Sequence, residues 1–286
     1  LTLVVGIQAG RNLDSFRIYA VGSKDFSTAV LTASIIATWL TGGALFYDLA
    51  NFYTHGLLLI LAALGDPLNL LFTGRVMTIR MDKFLNYLSV GEAMGDLYGP
   101  AVRIITAVSA IVGISGVISI QFRVIAQMLS LVYGIQGGQA MMVAATIVIL
   151  YSSFGGARAV TLTDVLQFVT FSLFIPIVAL IVWKHLPHAR EQVAVVMTKE
   201  PFAPQKLMIW DSELLMSFNM LLFWIIPSLG PASFQRILMA RDVYQARQAV
   251  TYAAGIVSLS RLLVVWLAIL LFAGNASLDS SNLIGY

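Results

Sequence analysis

The chain has 286 residues, of which 59% are hydrophobic and only 11% charged, with no cysteine and a formal net charge of +3. A typical soluble domain carries about 25% charged residues, so the composition excludes an ordinary soluble fold and points to an all-α polytopic membrane protein. It also excludes a disulfide framework or a thiolate metal site. The basic residues sit in separated short loops rather than on one face, which excludes nucleic acid as a partner.

Read in chain order, apolar runs define about eight transmembrane spans: Leu1–Gly10, Ser27–Tyr47, Gly56–Phe72, Val102–Val132, Gly138–Phe154, Val165–Trp183, Leu214–Pro231 and Val250–Phe272. A crossing takes about 20 apolar residues as helix. The ten-residue first run is too short for that and begins without methionine, so the chain reads as starting partway through a helix. Lysine and arginine mark cytoplasmic loops. Arg11, Arg17 and Lys24 follow the first run, Arg75, Arg80 and Lys83 the third, Arg158 the fifth, and Arg236, Arg241 and Arg247 the seventh. The alternate loops, Asp48 to His55 and Tyr133 to Gly137, carry none. This pattern places the N-terminus outside a cell (inner) membrane. The longer stretch Lys184 to Glu213 mixes four basic and four acidic residues and reads as an external loop with a short surface helix. His185 and His188 within it, and His55 before it, show no metal-ligand spacing.

Two spans contain backbone breakers. The second reads Ala37-Thr38-Trp39-Leu40-Thr41-Gly42-Gly43 and the seventh Pro227-Ser228-Leu229-Gly230-Pro231. Proline removes a helical donor and frees a carbonyl, a defect that survives in a membrane only where protein or a watery cavity covers it. Interrupted helices in matching positions of two halves point to a transporter's binding site. The alternative is close helix packing around small residues.

Ionisable groups within spans are functional candidates, because burying them in lipid is costly. Asp66, in the third span, either binds a substrate amine, couples a proton, or forms a buried ion pair with Arg123 or Arg261. Gln121 and Gln127 share a face of the fourth span and are expected to satisfy one another or a backbone carbonyl, with contact to a ligand as the alternative. Met141 and Met142 read as packing or lipid-facing residues.

Between the fifth and sixth runs lies a short polar break, Gly155-Gly156-Ala157-Arg158-Ala159-Val160-Thr161-Leu162-Thr163-Asp164, followed by Gln167. Gly155 and Gly156 are expected to end one helix, and Thr161 with Asp164 has the spacing of a capping box for the next. Arg158 and Asp164 are expected to orient this cytoplasmic turn. With Tyr151, the segment resembles the signature of the sodium:solute symporter family. Three more segments resemble that family in order: Tyr19 to Lys24 with Ser34 to Gly43; Ser89 to Gly99, with Ser89, Gly91 and Asp96 as departures; and Gln235 to Ala240 with Ala246 and Arg247.

The resemblance implies a partial LeuT-like inverted-repeat fold in one incomplete transmembrane transporter domain, 1–286. Residues 1–26 would be the end of a leading helix and a loop, 27–186 a complete first five-helix repeat, 187–211 the external loop, and 212–286 the start of a truncated second repeat. It implies sodium-coupled symport of a small organic solute by alternating access, with no enzymatic activity and no organic cofactor. The partners would be the solute, Na+ and the lipid bilayer. The family's fold also occurs as the membrane input domain of sensor histidine kinases, which is the alternative function. By the same resemblance, the carbonyls of Ala37 and Leu40 and the hydroxyl of Thr41 would contribute to a sodium site. The remaining ligands belong to a ninth helix that this sequence lacks, so the chain alone is not expected to transport. The substrate candidates are Trp39, Gly42, Asp66, Phe223, Trp224, Pro227 and Pro231. Trp39 stands where proline carriers have aspartate, which points instead to a substrate with an apolar or aromatic portion. The signature turn, Gly155, Gly156, Arg158, Thr163, Asp164 and Gln167, marks the family without contacting solute.

Overall fold

A computed structural model describes residues 15–227 and 230–277, apart from the side chain of Tyr151. The described elements are helical: α1 (Phe16–Val21), α2 (Thr28–Trp39), α3 (Gly42–His55), α4 (Leu57–Ala63), α5 (Gly65–Phe72), α6 (Val90–Tyr98), α7 (Pro100–Tyr133), α8 (Gly137–His185), α9 (Ala189–Val196), α10 (Ser212–Ile225), α11 (Pro231–Leu238) and α12 (Val243–Gly274). The first apolar run, Leu1–Gly10, lies outside the described residues.

Each later apolar run has a helical counterpart, but not all are long enough to cross a membrane. Among the described residues four helical stretches pass by length and composition, 57–80, 100–133, 152–185 and 243–274, and α2 with α3 makes a fifth if the bent pair is one span. The fifth and seventh runs appear as the shorter helices Gly137–Leu150 and Ser212–Ile225. Fourteen residues at 1.5 Å rise reach only about 21 Å, short of the roughly 30 Å hydrocarbon thickness. The seventh run falls short because its helix leaves α geometry at Ile226 (φ −62°, ψ 118°), ahead of Pro227.

Two expectations about boundaries are corrected. Asp48 to His55, read as a loop, is the second half of α3. Its polar residues do not break the helix because the helix absorbs them: Asn51 Nδ2 and Thr54 Oγ1 donate to the carbonyls of Tyr47 and Ala50, and Asp48 is paired with Arg261. The break in the fifth and sixth runs is confined to Gly156 (φ 54°, ψ −152°), with helix on both sides. Thr161 and Asp164 are therefore not a capping box. Thr161 Oγ1 bonds back to the Ala157 carbonyl at 2.8 Å inside the helix, leaving Asp164 for longer-range partners.

The chain divides into two compact units. The first draws on Leu1–Gly43, Thr73–Phe168 and Leu229–Ala253. Its core includes Leu31, Ile36, Ile237, Leu238 and Met239, each nearly inaccessible, where α11 packs on α1, α2 and α6. Here α6 starts at a Ser89 cap that accepts the Glu92 N–H at 3.1 Å, while the Glu92 carboxylate accepts the Leu88 N–H. These reciprocal bonds satisfy amides that a helix start leaves free. The second unit draws on Ala44–Phe72, Val169–Ser228 and Ala254–Tyr286. Its core gathers Phe52, Tyr53, Ala179, Val264, Leu267, Ala268, Leu270 and Leu271, with α10 packed on α4 and α5.

Candidate functional site

The second span breaks at Leu40 and Thr41, just before the glycine pair. Leu40 N–H closes the last turn of α2 onto the Ile36 carbonyl at 2.7 Å, and the backbone then leaves the helix at Leu40 (φ −101°, ψ 65°). The next helix begins at Gly42. A helix end presents carbonyls that have no intrahelical partner, and here Ala37 and Leu40 are buried beside it. Gln121 of α7 braces the break. Its Oε1 accepts the Gly43 N–H at 3.3 Å and its Nε2 donates to Thr41 Oγ1 at 2.7 Å. The contact to Gly43 is close enough that a Cβ there would meet the Gln121 amide at 3.2 Å. Gln121 thus binds a broken helix rather than Gln127. The indole N–H of Trp39, also at the break, is buried and has no hydrogen-bond partner among the described residues.

One turn earlier, the same helix joins the signature segment. Ser34 Oγ and Arg236 Nη2 both donate to Asp164 Oδ2, the latter at 2.7 Å, and Arg236 Nε reaches Thr38 Oγ1 at 3.3 Å. Both side chains of the ion pair are 12% exposed. Asp164 therefore does not orient a turn, as its position suggested; it links α8 to α2 and α11. Arg158, by contrast, meets Asp25 at 3.1 Å on an exposed surface. The Asp25 carboxyl is held below its usual range chiefly by the Ser23 hydroxyl and further by Arg158. Thr163 bonds within its helix to the Val160 carbonyl, and Gln167 is exposed. Gly156 faces Tyr19, whose carbonyl would stand 2.5 Å from an added Cβ.

In the second unit the seventh-span break is met by Asn69. Its Nδ2 donates to the carbonyls of Trp224 at 3.1 Å and Ile226 at 2.8 Å, where α10 ends before Pro227. Phe223 and Trp224 stack edge to face at 5.3 Å, and a Cβ on Gly65 would meet Trp224 Cβ at 2.5 Å. On the far side of the break Pro231 opens α11 at its first turn, the position that tolerates proline. Asp66 is paired with Arg261, which also donates to Asp48 at 2.7 Å. Of the two arginines considered as partners for Asp66, the contact is to Arg261. Asp48, Asn69 and Arg236 were not among the site residues read from sequence. A polar residue inside an apolar stretch was the available signal for Asn69.

A family model for the sodium:solute symporter family matches residues 19–284, and the chain belongs to that family. Its relatives include proteins named high-affinity choline transporter 1 from Drosophila melanogaster, 27% identical over 66% of this chain and 30% of the relative, and from Caenorhabditis elegans, 26% identical over 61% of this chain and 32% of the relative. The matched part of the chain spans about a third of those curated relatives. A solved substrate-bound, outward-open Na+-coupled sialic acid symporter superposes with a TM-score of 0.84 at 16% identity, covering 99% of this chain and 62% of that one. The fold is thus that of a LeuT-like transporter, in an integral multi-pass membrane protein, and the family and its structural neighbour are transporters rather than enzymes.

Proposed function

We propose that the full-length protein carries a small organic solute across a membrane together with sodium, by alternating access around its two broken spans. The observation that carries this reading is the braced break at Leu40 and Thr41: a hard cation favours oxygen ligands, and a buried helix end supplies carbonyls where a hydroxyl also stands. Sodium would be held in part by the carbonyls of Ala37 and Leu40 and by Thr41 Oγ1. Thr41 Oγ1 accepts a bond from Gln121 at 2.7 Å, which positions the hydroxyl beside the helix end.

Trp39 and Gly42 flank one break and Phe223, Trp224, Pro227 and Pro231 the other, and these are the substrate candidates. Aromatic faces suit a cationic or apolar solute, and relatives named for choline support testing a quaternary ammonium first. The charge pattern of the short loops supports an N-terminus outside the cell membrane.

The test is uptake into proteoliposomes by the full-length protein under an inward sodium gradient, across choline, sialic acid, amino acids, sugars and carboxylates. Accumulation of at least one solute that collapses when sodium is replaced by potassium is expected. Background uptake for the whole panel overturns the reading.

A further inference from the structure

The cluster of Asp48, Arg261 and Asp66 sets two carboxylates against one guanidinium, so with every group ionised it carries two negative charges and one positive, a net −1. It is buried: Asp48 is 8% exposed, Asp66 9% and Arg261 8%. One guanidinium compensates one carboxylate; the second is an uncompensated ion, which costs several kcal/mol away from water.

Among the described residues of this unit, nothing else ionisable is committed to that second charge. Apart from the cluster, the helical segments 44–55, 57–72, 169–185, 212–225 and 254–274 contain only His55, Lys184, His185, Glu213 and the tyrosines Tyr47 and Tyr53 as titratable side chains. His55 and His185 are exposed at helix ends, with Nδ1 against the carbonyls of Asn51 and Ile181. Lys184 and Tyr47 are exposed. Tyr53 donates to the Asn275 carbonyl at 2.6 Å. In the connecting loop, Lys206 lies against Glu200, Asp211 and Glu213, and His188 against Glu191. Arg190 and Lys199 are exposed there.

A second observation locates the missing charge. Both guanidinium bonds go to Oδ2 atoms, and Asp66 Oδ1, like Arg261 Nε, is buried with no hydrogen-bond partner among the described residues. Buried polar atoms are rarely left so. Pro67 follows directly and has no N–H, so the Ala63 carbonyl loses the donor that a regular helix would give it. An ionised Asp66 adds an acceptor to a helical turn already short of a donor. A protonated one supplies a hydroxyl, able to bond back three residues as serine and threonine do.

We propose that the Asp48, Arg261 and Asp66 cluster is a proton-binding site: one proton, carried on Oδ1 of Asp66, neutralises the buried cluster, and its release and uptake make the transport cycle respond to pH. A metal cation fits less well, since it takes several oxygen ligands and the guanidinium already occupies the Oδ2 side of both carboxylates. A proton needs one oxygen. The transport consequence rests on the symport reading; the proton site itself does not.

Infrared spectroscopy of the purified full-length protein between roughly pH 5 and 9 tests the site without transport. The wild type is expected to show a protonated carboxylic-acid carbonyl band that disappears on alkalinisation and is missing in Asp66→Asn. In proteoliposomes, wild-type uptake is expected to change by up to about tenfold per pH unit on one limb, and Asp66→Asn uptake by less than about twofold. Absence of the band from the wild type at every pH overturns the proposal, even if the variant fails to fold. So does survival of the band in Asp66→Asn, or its replacement by carboxylate when sodium is added at fixed pH. A band present in a protein that accumulates no solute would sink the symport reading and leave the proton site standing.

Discussion

Arg236 Nη2 lies 2.7 Å from Asp164 Oδ2, joining the helix that follows the second break to the signature segment of α8. Ser34 donates to the same oxygen across 130 residues of sequence. The pair is largely desolvated, so its value differs from that of the exposed Arg158 and Asp25 pair. Surface pairs contribute about 0–1 kcal/mol, whereas removing one partner of a buried pair costs about 3–5 kcal/mol.

Arg236→Met should therefore lower the stability of the full-length protein in detergent by about 3–5 kcal/mol, while Arg158→Met changes it by less than about 1 kcal/mol. Adding Asp164→Asn to Arg236→Met should recover much of the loss, because the stranded charge is then gone. Thermal unfolding of the four proteins checks this; equal effects of the two arginine variants would show that burial does not set the cost.

Gln121 holds both sides of the first break, so its removal should be felt at Thr41. Gln121→Ala and Thr41→Ala are each expected to raise the sodium concentration for half-maximal uptake. Because the two side chains are in direct contact, the double variant should depart from additivity by about 0.5–3 kcal/mol. Sodium titrations of uptake in proteoliposomes give the cycle, and strict additivity would remove Gln121 from the sodium-binding break.

The helices were legible as apolar runs because hydropathy reports burial in lipid without reference to partners. Features that depend on a distant partner were not. Asp48 ended an apolar run on paper, yet α3 continues through it because Arg261, 213 residues away, takes its charge. Asp164 stood three residues from Thr161 with capping spacing, and only the fold shows that it serves Ser34 and Arg236 instead. The glycine pair Gly42 and Gly43 announced the first break correctly to within two residues. What local chemistry could not supply was Gln121, which fixes the break from another helix.

Gly156 combines a positive φ of 54° with the Tyr19 carbonyl 2.5 Å from where a Cβ would lie. A positive φ combined with a ψ of −152° is a backbone region essentially reserved for glycine and costs an L-residue about 1–3 kcal/mol, and the clash adds to it because backbone cannot swing aside. Gly156→Ala should destabilise by more than about 2 kcal/mol. Gly113→Ala, in α7 with nothing within 4 Å, should be neutral or stabilising by up to about 1 kcal/mol. Similar melting temperatures for the two variants would contradict the strained turn.

Asn69 gives one amide group to two carbonyls, at 3.1 Å from Trp224 and 2.8 Å from Ile226, where Pro227 ends the α10 ladder. Asn69→Leu keeps the approximate volume and strands both acceptors, at about 1–3 kcal/mol for each group left buried and unsatisfied. Asn69→Asp should be worse at neutral pH, since a carboxylate then faces two carbonyl oxygens and adds a buried charge. Acidification protonates that carboxyl and restores one donor, so Asn69→Asp should regain stability as pH falls while Asn69→Leu does not. Unfolding measured at neutral and acidic pH separates the cases. A leucine variant as stable as wild type would mean that the helix end finds its donors elsewhere, and a pH response shared by both variants would place the titrating group outside position 69.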